Sequence, residues 1–391
     1  MMTMFWNGWD VRVDAAQAWM HLAQRNAATH PIILDRVAAV LEDPVATVRL
    51  QAAGDIAIIG NSSPERMWEM AERIAAQETN AEVLASFLCS LRHFSHAAPE
   101  RCETLLNMIM TRWAEGLIDE NSGGNHLSEA LGNWIAQLFI GQARDYARDW
   151  LTQWAVDPLR FSNQLHALIG VLRASLFLRY APPPEAETSA MSDRAQQAVE
   201  LIISSAIRIA SDAHATAILE SVSETDKQQA IAQFQAAEAV ILHTVNQFYF
   251  GSGAFGENGI EDGPGLRDAA TMTRFLTDYS STLAMLADTR TPEALHHLIE
   301  LYQFLIPANP SAVFGVVHAI LLGRGEQEGY HYETLAIDVV VGIVRRYLAD
   351  YRAIFEDEAR RQDLVAILNL FADAGWPDAL QLLYDLPDLL R

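Results

Sequence analysis

Residues 41–59 read LEDPVATVRLQAAGDIAII. The polar break Glu42-Asp43-Pro44 closes one apolar segment, and Val48-Arg49 followed by Ala52-Ala53 opens the next. A proline cannot continue a helix, so the stretch predicts a helix, a tight turn and a second helix, the hairpin of a stacked repeat array. Ala52, Ala53 and Gly54 are small, which lets the second helix approach its neighbours closely.

The pattern extends outward in both directions. Val11-Arg12 with Ala15-Ala16 anticipates Val48-Arg49 with Ala52-Ala53, and between them residues 32–41 form an amphipathic segment introduced by His30-Pro31. Downstream, Ser63-Pro64 starts a helix through Ile74, Asn80 caps another, and residues 83–91 supply its apolar face.

The Asp-Pro turn, the Val-Arg pair and the small residues resemble a HEAT repeat, clearly so for about residues 10–60. That resemblance implies an all-α chain: a right-handed α-solenoid of stacked antiparallel helical hairpins, with a more irregular helical C-terminal half. It also implies that Asp43 and Arg49, with Arg12 in the preceding unit, form a ladder between repeats, while Pro44, Val48 and Ala52 shape the turn and the close helix contact. The first readable element is the second helix of a unit. Either Phe5, Trp6 and Trp9 fold back as a cap, or they form an interface covered by an earlier repeat of a longer protein.

The expected organisation is HEAT-like repeats over 1–120, a helical continuation over 121–180 around the NSGGN loop at 121–125, a Pro-rich linker APPPEAETSAMS at 181–192, and a C-terminal helical repeat region over 193–391. Helices are predicted near 128–139, 142–154, 158–179, 193–210, 225–250, 266–288, 292–306, 310–322, 332–354, 360–373 and 376–385. The run SAVFGVVHAILLG at 311–323 is too short to span a membrane and reads as a buried core helix.

Formal net charge is -23, and Lys227 is the only lysine. Such a field opposes nucleic-acid backbones and anionic lipid, so neither a HEAT-like nucleic-acid-binding role nor membrane association is expected. Two cysteines and a start without a basic and apolar leader point to the cytoplasm.

Few patterns point to chemistry. Residues 251–256 read GSGAFG and fit G-x-G-x-x-G, yet no preceding strand and no later lysine support a phosphate loop, so a flexible loop with acidic Glu257, Glu261 and Asp262 is expected. Cys89, His93, His96 and Cys102 have helix-compatible spacing for zinc, but no known finger has this spacing, and core packing of Cys89 and Cys102 with His93 and His96 near a helix C-terminus is the preferred reading, so no metal is expected. His296 and Glu300 share a helix face as a surface pair. Glu356 with Arg360 and Asp357 with Arg361 are spaced as i,i+4 pairs, while Arg345-Arg346 offers an interface patch. Arg144, Tyr146, Arg148 and Trp150 form a mixed face.

No cofactor is implied. The leading expectation is a non-enzymatic scaffold or recognition arm that binds protein partners or other domains of its own assembly, such as a bacterial ATPase or sensor. The alternative is an all-α enzyme with a site near the 251–265 loop that draws on Glu261, Asp262, His243 or His296.

Overall fold

The computed structural model describes residues 10–122, 124–181, 186–256 and 265–390. Phe5, Trp6, Trp9, Glu257, Glu261, Asp262 and the prolines of the expected linker lie outside the described residues. The chain is all-helical: among the described residues no strand forms, and the only β pairing is an isolated bridge between Asn80 and Asp119. No described helix is long and apolar enough to cross a membrane.

Two compact units divide the chain, residues 1–150 with 166–168 and residues 151–165 with 169–391. The division therefore falls well before the expected boundary at 181–192. Residues 186–192 are themselves helical and open a helix of 32 residues. Ala, Glu, Met and Ser there are compatible with helix.

In the first unit the helices are α1 (Val11–Asn26), α2 (Ile32–Val40), α3 (Ala46–Gly54), α4 (Pro64–Gln77), α5 (Ala81–Leu91), α6 (Pro99–Ala114) and α7 (His126–Ala136). Their starts follow from the sequence: the Asp10 side chain accepts from the Arg12 N–H, that of Asn80 accepts from the Val83 N–H, and Pro64 and Pro99 occupy first turns. α1 packs on α3, α3 on α5 and α5 on α7, while α4 packs on α6. Ala16, Ala52 and Ala53 are fully buried, which is what close approach of α1 and α3 requires. Polar contacts between helices also recur at a characteristic reach. Residues 29 apart join in Arg49–Glu78, 31 in Arg66–Asp35, 34 in Gln17–Gln51, 37 in Arg112 to the Ala75 carbonyl, and 46 in the Trp134 indole to the Leu88 carbonyl.

After α8 (Asp145–Ala155) and α9 (Ser162–Phe177), the second unit contains the long antiparallel pair α10 (Ala186–Ala217) and α11 (Glu224–Ser252). It continues with α12 (Ala269–Asp278), α13 (Ser280–Leu286), α14 (Pro292–Leu305), α15 (Pro310–Ile320), α16 (Thr334–Asp350), α17 (Glu358–Asp373) and α18 (Pro377–Leu389). Here α12 packs on α14, α14 on α16 and α16 on α18, and α15 packs on α17. Contacts 33 to 45 residues apart return as well, from Arg345–Asp378 to the Trp376 indole on the His331 carbonyl.

The run at 311–323 forms a helix with a buried face over most of its length, as α15. Val313, Phe314, Val317 and Ile320 are buried, but Val316 is 37% exposed, and residues 321–325 form a π-turn around non-helical Gly323.

α14 has no side-chain cap of its own at Thr291. Its entry is held from α11, where buried Glu238 accepts from the Thr289 hydroxyl at 2.6 Å, the Thr291 hydroxyl at 2.8 Å and the Arg290 N–H at 3.2 Å. Replacing Glu238 with Ala strands these donors, and a loss of about 2–3 kcal/mol in urea unfolding is expected. A midpoint unchanged from wild type would show that the turn is held some other way.

Candidate functional sites

The Asp-Pro turn builds a polar seam along the first unit. Asp43 accepts from the Val45 N–H at 2.8 Å, fixing the turn ahead of α3, and Arg12 reaches its carboxylate at 3.5 Å. Arg49 donates to the Asp43 carbonyl at 2.8 Å and takes Glu78 in a two-point grip at 2.7 and 2.8 Å. Pro44 borders the same cleft, of about 320 Å³, together with Arg73 and Glu42, which are also paired. Val48 and Ala52 are buried in the body of α3.

Glu78 was not singled out from sequence. It stands in the turn before α5, as Asp43 stands in the turn before α3, but in the motif Glu-Thr-Asn rather than Asp-Pro. Its side chain also accepts from the Thr79 and Asn80 N–H groups at 2.9 and 2.8 Å. Burial pushes the Glu78 carboxyl up, but the Arg49 and Asn80 hydrogen bonds outweigh it and hold the group below its ordinary 4.5.

Cys89, His93, His96 and Cys102 do not converge. Cys89 is exposed rather than in the core, since it lies on the outer side of α5 while Leu88 is buried. His93 and His96 are exposed beyond the helix end. Cys102 is buried in α6, where burial pushes its thiol up to about 12. Among the described residues no group of three His, Cys, Asp or Glu side chains could hold a metal ion.

Arg345 and Arg346 have different settings. Arg345 makes an exposed 3.3 Å pair with Asp378, whereas Arg346 donates to the Gln303 carbonyl at 2.8 Å and fastens α16 to α14. The spacing-based pairs of Glu356 and Asp357 are replaced by Arg360–Asp363 at 3.1 Å and Arg361–Glu358 at 2.8 Å. Asp357 is instead the cap of α17, accepting from the Ala359 N–H, and Glu356 belongs to the preceding 3₁₀ turn. On the face read as mixed, Arg144 grips Glu103 at 2.6 and 3.0 Å, and burial raises the Tyr146 phenol.

The G-x-G-x-x-G run is also not one loop. Gly251 and Ser252 end α11, and a Cβ on Gly251 would lie 2.4 Å from the Phe177 ring. Gly253, at φ +95°, terminates the helix in the left-handed region. Nearby, His296 is half-buried rather than on the surface, 3.7 Å from Glu300 and 3.1 Å from the Tyr330 hydroxyl. His297 stacks on Tyr249 with ring centres 4.7 Å apart and meets Asn246 Oδ1 at 2.6 Å. Burial lowers the His297 imidazole, against an opposing pull from Glu300. His243 faces α9, with its ring 3.9 Å from where a Gly170 Cβ would be.

A further polar knot was not anticipated. Buried Arg179 donates to Asp193 at 2.7 Å and Gln196 at 3.2 Å, lies 3.6 Å from Asp278, and sits over the Tyr279 ring. Tyr180 donates to Asp278 at 2.9 Å. Sequence spacing carried no sign of it, because Asp278 and Tyr279 lie about 100 residues from Arg179 and Tyr180. Comparison with family models, curated proteins and solved structures gave no match to this chain.

The Arg49–Glu78 pair yields a stability prediction with a defined pH window. Arg49→Ala leaves a buried carboxylate without its cation, and a loss of about 3 kcal/mol is expected at neutral pH. Because the folded Glu78 carboxyl is lowered, its contribution is present above pH 4.5 and is lost as pH falls through the folded value. In Glu78→Gln that part of the acid-induced destabilisation disappears. Denaturant titrations across this range test it, and identical acid limbs for wild type and Glu78→Gln would sink the assignment.

Proposed function

We propose that each unit is a HEAT-like α-solenoid segment, right-handed as the resemblance implies, and that the chain serves as a protein-binding scaffold or recognition arm. One observation carries the solenoid reading. In the first unit and again from α12 to α18, a helix packs on the helix two places ahead, and its polar contacts reach about one hairpin along the chain. A chain built of units that each satisfy the next behaves as a quasi-one-dimensional stack, and such stacks offer long surfaces on which recognition side chains are held rigidly.

Within this reading Asp43, Arg49 and Arg12 are structural, fixing the spacing of helices rather than touching a partner. The arginines are suited to it, because a planar guanidinium can hold a carboxylate and a carbonyl at once. Recognition falls to the exposed faces and loops.

The test is recovery of the tagged chain from its source cell under gentle cross-linking, followed by sizing and identification of what accompanies it. A protein companion at constant ratio, retained through the sizing step, is the expected result. Recovery of the chain alone, at the mass of a monomer, would overturn the scaffold reading.

A further inference from the structure

We propose that the groove between the α8–α9 turn and the paired ends of α10 and α11 receives a basic amphipathic helix of a partner protein. This rests on the scaffold reading above and names the surface and chemistry through which it acts. The groove, of about 360 Å³, lies within the second unit. Its apolar lining comes from Val156, Leu159, Ile209, Ala213 and Ala230. Val156 is 58% exposed and Leu159 45%, and beyond the last turn of α10 the consecutive Ile218 and Leu219 are 67% and 51% exposed. Large apolar side chains gathered at one end of a helical pair are a costly arrangement unless something covers them.

Charge selects the occupant. Three carboxylates, Asp157, Asp212 and Asp226, line the groove, and among the described residues no Lys or Arg does. The three are exposed, and their partners within the chain are slight: a backbone N–H for Asp157, the Ser223 hydroxyl for Asp226, and an exposed Arg208 at 3.8 Å for Asp212. An apolar floor whose charged lining residues are all acidic fits a helix with leucines on one face and lysines or arginines flanking them. A second copy of this chain fits poorly, since two molecules at -23 repel one another.

The probe is a labelled synthetic helix of about 18 residues, roughly five turns, with leucines on one face and lysines elsewhere. Its controls are a scrambled peptide of the same composition and a version with glutamate for lysine. Fluorescence anisotropy should give a Kd in the range of about 1–50 μM for the basic helix. The double variants Asp212→Arg/Gln229→Arg and Val156→Ser/Leu159→Ser, each checked by thermal unfolding, should each weaken it about tenfold or more.

Because the whole molecule is acidic, a remote variant with the same change in net charge, Glu326→Arg/Asp338→Asn, must leave affinity within about threefold. Equal binding of the scrambled peptide, equal losses in the two charge variants, or no binding by wild type would each overturn the proposal. So would a dimer in sedimentation that the groove variants dissolve, which would make a second copy the occupant. A cellular partner held equally by wild type and groove variants would remove the groove while leaving the scaffold reading in place. Specific peptide binding by a chain that recovers no cellular partner would count against the scaffold reading alone.

Discussion

Arg49 shows the constraint that orders the first unit. Its guanidinium must satisfy the carbonyl left open at the Asp43 turn and the buried Glu78 carboxylate of the next turn, and one planar group does both. The side chain can make these contacts only if α3 stands at a fixed height above α5, and that height is set by Ala52 and Ala53, which have no bulk to hold the helices apart. Small residues and the arginine are therefore one device. Enlarging either alanine would lengthen the path that Arg49 has to span, and losing the pair would leave a buried charge that no packing could compensate.

The second unit solves an additional problem. Its long pair α10 and α11 lies in sequence between α9 and α12, yet the end of α9 and the turn after it touch α12 directly, through contacts 95 to 103 residues apart such as the Tyr279 hydroxyl on the Leu176 carbonyl. The hairpin behaves as an insertion between two elements that pack together. Buried Arg179 sits at the seam and ties α10 to α12 through Asp193, Gln196 and Asp278, while Gly251 lets α11 press against the Phe177 ring. At the α12–α14 side Glu238 repeats the strategy by supplying from α11 the cap that α14 lacks.

What could be read in the sequence follows the range of the interactions. Helix existence and most helix starts were legible, because capping by Asn80, Pro64 or Asn309 is settled within a few residues. Arg49 could be singled out in the sequence, but its partner Glu78 could not, since its turn lacks the Asp-Pro motif. Within the stretch read as a linker, residues 186–192 are helical, because the helix-forming residues there were weighed less than the prolines before them. Cys89 failed because the core face of α5 was assigned from Leu88 one position too far. Nothing local could reveal that Arg179 meets Asp278 and Tyr279 across the long hairpin, or that Tyr249 of α11 stacks on His297 of α14.

The arginine-dominated composition links packing to recognition. Arg12, Arg49, Arg144, Arg179, Arg290 and Arg346 are all committed to contacts that join helices or hold turns, several of them half-buried or buried. Cations spent in this way are screened by their own partners, whereas many carboxylates remain on exposed faces. The surface field is therefore more one-sided than an even spread of the same residues would be. An interface on such a molecule gains little selectivity from acidity alone, because acidity is everywhere. Selectivity requires carboxylates beside uncovered apolar side chains, and at the free ends of α8, α10 and α11 the two occur together.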